Sequence, residues 1–105
     1  CEAMLDALAR WREDGEVRAI LLDHAEGRGF CAGGDIRALL DSVAGDGEAA
    51  RLFFRREYQL DHRLFTTVKP TVAFMDGIVM GGGAGIALPC RHRIATENTR
   101  FAMPE

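Results

Sequence analysis

Residues 69–85 read KPTVAFMDGIVMGGGAG and carry two structural signals in succession. The first is an apolar run behind Pro70, which predicts a strand over residues 71–75, because a proline is tolerated at the start of a strand. The second is a run of three glycines followed by an apolar segment, which predicts a helix over residues 82–89. Glycines at a helix start leave several backbone N–H groups without partners at the positive end of the helix dipole.

Two interpretations of the three glycines are open. Without Cβ atoms, the backbone can be approached closely by a ligand, which suits an oxyanion hole whose donors wait for charge that develops during a reaction. Alternatively, the glycines give the clearance that tight helix–strand packing needs. This stretch alone favours neither interpretation, because short glycine motifs have a real rate of false matches.

A second glycine-rich stretch has the same organisation. Residues 27–37 read GRGFCAGGDIR. The apolar run over residues 17–22 predicts a buried strand before it, in a sheet covered on both faces, and a short helix is predicted over residues 35–43. Asp35 can cap that helix by accepting hydrogen bonds from the N–H groups of its first turn, which leaves the N–H of Gly34 free to point elsewhere. Two turns of this kind could supply two converging N–H donors.

Apolar spacing predicts the remaining elements. Helices are predicted over residues 2–12 and about 47–65, and short strands over residues 93–96 and 100–102. The longer helix has a broad apolar face, formed by Leu52, Phe53, Phe54, Tyr58, Leu60, Leu64 and Phe65. Strands that alternate with helices favour an α/β fold with right-handed crossovers.

Three ordered motifs carry a resemblance to a known family. They are FCAGGDIR at 30–37, GIVMGGG at 77–83 and FAMPE at 101–105. In these motifs the chain resembles the crotonase (enoyl-CoA hydratase/isomerase) superfamily. MGGGAG at 80–85, FAMPE and FFRREY at 53–58 make it most similar to the branch of 3-hydroxyisobutyryl-CoA hydrolases. The resemblance runs through nearly the whole chain and implies a crotonase-like spiral of ββα turns.

Length adds one expectation about domain organisation. The chain has 105 residues, begins at Cys1 and ends within the third motif. That length fits one domain at most, and members of the resembled family are considerably longer on both sides. We therefore expect residues 1–105 to be a partial crotonase-like domain, truncated at both ends and incomplete as a fold.

The resemblance implies roles for three residues. Gly34 and Gly82 match the positions that offer backbone N–H groups to a thioester oxygen, and Glu105 matches a catalytic glutamate. Attack on a thioester carbonyl, or proton removal beside it, places negative charge on that oxygen, and losing one such donor costs about 3–4 kcal/mol of transition-state stabilisation. Whether Glu105 acts as nucleophile or as a base for water is left open.

Gly85 is informative because it has no side chain. In the hydratase branch, the resemblance places a second catalytic glutamate at this position. Hydration of a double bond benefits from two carboxylates around one water, since one can accept and the other donate a proton. In the hydrolase branch, the second carboxylate is an aspartate that lies a few residues beyond the position of Glu105. Gly85 therefore argues against a hydratase of the two-glutamate kind.

Two further residues match substrate-binding positions of the resembled family. Glu57 matches a glutamate that contacts the substrate, and Arg37 matches a basic residue near the phosphates of coenzyme A, to which a guanidinium is suited by charge and geometry. Each also has a plain alternative. Glu57 can be an exposed helical charge beside Arg56, and Arg37 can be part of a surface ion pair.

Composition excludes several function classes. A net charge of −3 and a pI near 5.6 argue against a nucleic-acid surface, and no apolar run approaches the roughly 20 residues that span a membrane. Three cysteines at unrelated spacings suit a reducing compartment, and Cys31 has no locally patterned histidine to act as its base. No metal-ligand spacing is present among Asp23, His24, His62 and His92.

The sequence therefore predicts hydrolysis of a short-chain hydroxyacyl-CoA thioester, 3-hydroxyisobutyryl-CoA, to free acid and coenzyme A, a step of valine catabolism. No metal or separate cofactor is expected, because coenzyme A is part of the acyl-CoA substrate. The alternatives are an enoyl-CoA hydratase or isomerase and a catalytically silent fragment that packs into an assembly. A homo-oligomer is left open, and the resemblance implies a cytoplasmic location in a bacterium or a mitochondrial one in a eukaryote.

Overall fold

The computed structural model describes residues 1–27 and 29–104, which form four helices and five strands. In chain order these are α1 Glu2–Glu13, β1 Ile20–Leu22, α2 Ile36–Ala44, α3 Glu48–Thr66, β2 Thr71–Met75, β3 Ile78–Met80, α4 Gly82–Ala87, β4 His92–Ala95 and β5 Arg100–Ala102. In the described part of the chain, no helix is both long and apolar enough to cross a membrane.

In the described part of the chain, the named strands pair in parallel and form two sheets. β1, β2 and β4 make one sheet in that order, while β3 pairs with β5 in the other. In chain order, β2, β3 and α4 form one ββα unit, and β4 and β5 are the two strands of the next unit. Consecutive strands of a unit lie in different sheets, because the chain turns sharply at Gly77, whose φ of 79° lies in the left-handed region that favours glycine.

The core lies between the three-stranded sheet and the helices α1, α3 and α4. β2 alternates buried and partly buried positions, as expected of a central strand, and Leu60 and Leu64 of α3 are each 1% exposed. Thr71 is buried as well, but its hydroxyl accepts a hydrogen bond from the N–H of Arg91 at 2.9 Å. The cluster comprises Leu8, Ile20, Leu22, Leu60, Leu64, Ala73, Met75, Val79, Ala84, Ala87 and Cys90.

One expectation about burial is wrong. β1 was expected to be covered on both faces, but Leu21 is 63% exposed, because its neighbours Ile20 and Leu22 point to the packed face. The broad apolar face of α3 is only partly used, since Tyr58 and Phe65 are 66% and 76% exposed. Within the described residues, α1, α2 and α4 all pack against α3, but Tyr58 and Phe65 remain exposed.

Most predicted elements agree with the structure to within one residue at each end, two differ by more, and one strand was not predicted. The strand predicted over residues 17–22 is reduced to β1, because only its last three residues pair with β2. The helix predicted over residues 82–89 ends at Ala87, two residues before the proline that was expected to close it. β3 was not predicted, since three residues between two glycine turns give too short an apolar signal.

A polar cluster fixes the turn between β2 and β3. The carboxylate of Asp76 accepts hydrogen bonds from the hydroxyl of Thr96 and, at 3.1 Å, from the amide of Asn98. These bonds, that from Thr96 above all, place the pKa of Asp76 below its usual value. The hydroxyl of Thr99 donates to the carbonyl of Met75 at 2.6 Å. The loop that precedes β5 is thereby joined to the end of β2, which sets the direction in which β3 leaves the sheet.

Candidate active site

The glycine turn that precedes α2 lies within residues 27–37 and is called the first glycine turn, because it comes first in the chain. It is bound directly to β3. The N–H of Cys31 donates to the carbonyl of Ile78 at 3.0 Å, and the carbonyl of Cys31 accepts from the N–H of Met80 at 3.0 Å. Gly33 follows with φ 98°, a conformation that favours glycine, and its N–H lies 3.4 Å from the sulfur of Cys31. The first turn is therefore placed beside the segment that leads into the second.

Asp35 caps α2, as its sequence position predicts. One carboxylate oxygen accepts hydrogen bonds from the N–H groups of Arg37 and Ala38 at 3.0 and 3.2 Å. These bonds satisfy two of the donors that a helix start leaves unpaired. The cap also fixes the direction in which the chain leaves the first glycine turn.

Replacing Asp35 with alanine should therefore lower the free energy of unfolding by about 1 kcal/mol, the usual cost of losing such a cap. Urea denaturation of the intact protein measures this change. Asp35→Asn keeps an oxygen that can accept the same bonds and should retain most of the stability. An equal loss in both variants would contradict the capping role and assign the effect to the lost charge.

The second glycine turn opens α4 and packs against the first. Gly83 is buried, and a Cβ atom on it would overlap the backbone carbonyl of Cys31. Because a backbone carbonyl cannot swing aside as a flexible side chain can, the packing interpretation holds at Gly83. It does not account for Gly82, which is only partly buried and meets a side chain instead.

The backbones of the two turns touch at Gly33 and Gly82. A Cβ atom on Gly33 would lie 3.1 Å from the nitrogen of Gly82, and one on Gly82 would lie 3.5 Å from the Cα of Gly33. Within residues 1–27 and 29–104, neither the N–H of Gly34 nor that of Gly82 donates a hydrogen bond. The arrangement thus brings two uncommitted backbone donors onto neighbouring segments.

One face of α3 covers both turns with a row of three side chains, which we call the α3 row. Its members, Phe53, Glu57 and Asp61, are spaced four residues apart and therefore share one side of the helix. Each member contacts one glycine: Phe53 faces Gly34, Glu57 faces Gly82, and Asp61 faces Gly85. A ring, a carboxylate and a second carboxyl group thus follow one another along the candidate site.

Glu57 is half-buried, and its carboxylate occupies the position that a Cβ atom on Gly82 would take. This placement differs from that of an exposed helical charge, which was the plain alternative. The predicted contact of Glu57 with a substrate remains a prediction, but its carboxylate lies against Gly82, the residue that carries one of the two uncommitted donors.

Asp61 was not identified from the sequence. Its Oδ2 lies 3.2 Å, and its Oδ1 3.6 Å, from the position of a Cβ atom on Gly85. Oδ1 is shielded from solvent and has no hydrogen-bond partner among the described residues. Burial raises the pKa of this carboxyl group above its usual value. The available signal was the helical spacing from Glu57, combined with the missing side chain at position 85.

One other predicted site residue, Arg37, is not part of this arrangement. Arg37 is exposed in the first turn of α2, and its side chain makes no ion pair within the described part of the chain. Glu105 lies outside the described residues, so its catalytic role remains a prediction. Among the residues that the structure describes, no three His, Cys, Asp or Glu side chains are grouped as metal ligands would be.

The whole chain has counterparts among known proteins. A family model described as enoyl-CoA hydratase/isomerase matches residues 1–105. Over 98 residues the chain is 47% identical to a Xenopus tropicalis protein named 3-hydroxyisobutyryl-CoA hydrolase, mitochondrial, a match that covers 93% of the chain and 26% of that relative. The chain therefore spans about a quarter of the length of this relative.

Two solved structures are similar to the described fold. One is a carnitinyl-CoA dehydratase from Mycobacterium thermoresistibile, with a TM-score of 0.95 and 46% identity over 99% of the chain and 31% of that protein. The other is an enoyl-CoA hydratase from Rhodobacter sphaeroides, with a TM-score of 0.91 and 40% identity over 98% of the chain and 31% of that protein.

Proposed function

The chain belongs to the enoyl-CoA hydratase/isomerase family, and from this premise we propose that the intact protein hydrolyses a short-chain hydroxyacyl-CoA thioester. The proposed substrate is 3-hydroxyisobutyryl-CoA, and the products are the free acid and coenzyme A. This reaction would belong to valine catabolism. The mitochondrial name of the relative suggests that organelle for a eukaryotic source, and a bacterial source would imply the cytoplasm.

The observation that carries the proposal is the pair of uncommitted N–H groups on touching backbones, at Gly34 and Gly82. In the proposed reaction they donate to the thioester oxygen. When the carbonyl carbon is attacked, the negative charge on that oxygen meets donors that are already in position. Such donors need no reorganisation at the moment of reaction, which is why they stabilise the transition state strongly.

The rest of the proposed mechanism uses three charged residues. Glu105 either attacks the carbonyl carbon itself or removes a proton from the water that attacks. The carbon–sulfur bond then breaks, and the electron pair leaves with the sulfur of coenzyme A, which takes up a proton. If Glu105 is the nucleophile, water then hydrolyses the acyl–glutamate anhydride, which releases the free acid and restores Glu105. Glu57, whose carboxylate lies against Gly82, contacts the acyl portion beside the carbonyl. Arg37, exposed at the start of α2, pairs with a phosphate of coenzyme A.

Two observations favour hydrolysis over hydration. Gly85 supplies no carboxylate of its own, so a pair of glutamates around one water is not available at that position. The relative at 47% identity is also named as a hydrolase. Hydration or dehydration of an acyl-CoA is the second candidate, because the chain is 46% identical to a protein named carnitinyl-CoA dehydratase and shares its fold.

The deciding experiment measures two reactions on one preparation of the intact protein. Thiol release from 3-hydroxyisobutyryl-CoA reports hydrolysis, and the loss of enoyl absorbance of crotonyl-CoA reports hydration. We expect rapid thiol release and slow hydration. Fast hydration without thiol release would replace the proposal with the second candidate. Activity in neither assay would favour a silent, assembly-forming role.

A further inference from the structure

Asp61 is the charged member of the α3 row to which the proposed mechanism gives no role. Phe53 and Glu57 face the glycines whose N–H groups form the proposed oxyanion hole, whereas Asp61 faces Gly85, one turn further along α4. No step of the proposed hydrolysis uses this carboxyl group. It is nevertheless placed in line with the groups that do take part.

Gly85 leaves the space that Asp61 occupies. A Cβ atom at position 85 would already lie 3.2 Å from Oδ2 of Asp61, which is close to the limit of what packing tolerates. Any longer side chain at this position would therefore occupy the same volume as the carboxyl group of Asp61. The glycine and the aspartate are complementary, and the carboxyl group here belongs to α3 rather than to α4.

The carboxyl group of Asp61 has an oxygen atom that is available to bind a polar group. Its Oδ1 is shielded from solvent and lacks a partner among the described residues, and leaving such an oxygen unpaired costs free energy. Burial also raises the pKa of the carboxyl group. In either protonation state, a carboxyl oxygen can accept a hydrogen bond from a hydroxyl group.

The spacing fits the proposed substrate. Gly82 and Gly85 are three residues apart on α4, which corresponds to about 4.5 Å along a helix. The hydroxyl-bearing carbon of a 3-hydroxyacyl thioester is two carbon–carbon bonds of about 1.5 Å each from the thioester carbon, and the hydroxyl lies one bond beyond. With the thioester oxygen at Gly82, the hydroxyl therefore comes beside Gly85 and within reach of Asp61.

We propose that Asp61 determines specificity by hydrogen-bonding the hydroxyl of the acyl group, through the space that Gly85 leaves open. The inference rests on the proposed hydrolase function and extends it to the chemistry of the acyl group. A thioester that lacks the hydroxyl leaves the Asp61 carboxyl group unpaired and is a poorer substrate, because an unsatisfied polar group in the site disfavours its binding.

The test compares kcat/KM for 3-hydroxyisobutyryl-CoA with that for isobutyryl-CoA, which lacks only the hydroxyl. In the intact protein, Asp61→Ala should lower kcat/KM for the hydroxylated thioester about tenfold, the effect of losing one good hydrogen bond. It should leave isobutyryl-CoA unchanged or improved. Asp61→Asn retains hydrogen-bonding capacity and should recover most of the preference. Asp6→Asn makes the same chemical change at an exposed position of α1 and should alter neither value.

A second variant approaches the same contact from the other helix. Gly85→Ala should displace the carboxyl group of Asp61 and reduce the preference for the hydroxylated thioester in the same way. Alanine normally stabilises a helix relative to glycine, so a loss of preference without a loss of stability is expected. This variant also serves if Asp61→Ala fails to fold.

Three outcomes would count against the inference. An equal loss of kcat/KM for both thioesters would assign Asp61 a structural role and overturn the specificity role. Unchanged values for both thioesters in Asp61→Ala would overturn it as well. In either case wild-type hydrolysis leaves the proposed function standing. If the wild-type protein hydrolyses neither thioester, the proposed function itself fails, and the inference about Asp61 fails with it.

Discussion

Replacing Gly82 with valine should lower the kcat for thioester hydrolysis by at least about 100-fold, consistent with the loss of one oxyanion donor. The branched side chain enters the space where the thioester has to approach the backbone. Its Cβ atom would also meet the carboxylate of Glu57 and would lie 3.5 Å from the Cα of Gly33. The added side chain therefore displaces the carboxylate of Glu57, whereas its contact with Gly33 stays at an ordinary packing distance. Steady-state thiol release measures the effect, and thermal unfolding of the same sample shows whether the fold persists.

Gly15 offers a matched control for this substitution. A Cβ atom on Gly15 would meet nothing within 4 Å, and its backbone is not in the left-handed region. Gly15→Val should therefore keep both the kcat and the stability of the wild-type protein. A folded Gly82→Val variant with wild-type kcat would remove Gly82 from the proposed oxyanion hole.

Local signals in the sequence predicted the elements well. The crotonase-like α/β fold expected from the motifs is confirmed by the similarity to solved structures of that family. β2 has the predicted bounds, 71–75, because a proline and a glycine turn delimit its apolar run. The cap at Asp35 was also predicted correctly, since capping depends on neighbours within three residues.

Non-local packing accounts for the errors. Whether Leu21 is covered depends on which elements pack over β1, and apolar character alone cannot report this. The same holds for Tyr58 and Phe65, which share a helix with the buried Leu60 but lie outside its packed face. β3 was missed for a related reason: its three residues become a strand only by pairing with β5 and by bridging to Cys31.

In the candidate site, too, local sequence signals predicted some features, whereas others depend on packing between distant parts of the chain. The glycines at 34 and 82 could be selected from the sequence, because each lies in a glycine turn before a helix. The different surroundings of Gly82 and Gly83 could not be derived from the sequence, since Gly83 packs against Cys31 whereas Gly82 faces Glu57. Asp61 was overlooked because its significance depends on Gly85, which is 24 positions away in the chain and adjacent only in the fold.

Glu105→Gln should reduce thioester hydrolysis by roughly 100-fold or more, the usual scale for removing an acid–base group. The substitution keeps the size of the side chain and removes the charge that a base or a nucleophile needs. We expect the loss in kcat, with KM little changed, because the proposed binding groups are Gly82, Glu57 and Arg37. Glu97→Gln makes the same change at an exposed position before β5 and should retain wild-type kcat. A Glu105→Gln variant with wild-type turnover would contradict the catalytic role.

The same residue allows the two proposed roles of Glu105 to be separated. If its carboxylate attacks the thioester, an acyl-enzyme forms on Glu105, and water labelled with heavy oxygen can leave its label in the glutamate after turnover. If Glu105 only removes a proton from the attacking water, all of the label goes into the free acid. Mass spectrometry of the peptide that carries Glu105 after several turnovers tests for this label. Label in the peptide identifies a nucleophile, because only attack of water on the glutamyl carbonyl of an anhydride places it there. If the peptide is unlabelled, trapping with hydroxylamine decides: a hydroxamate on Glu105 identifies a nucleophile, and its absence during turnover identifies a base that acts on water.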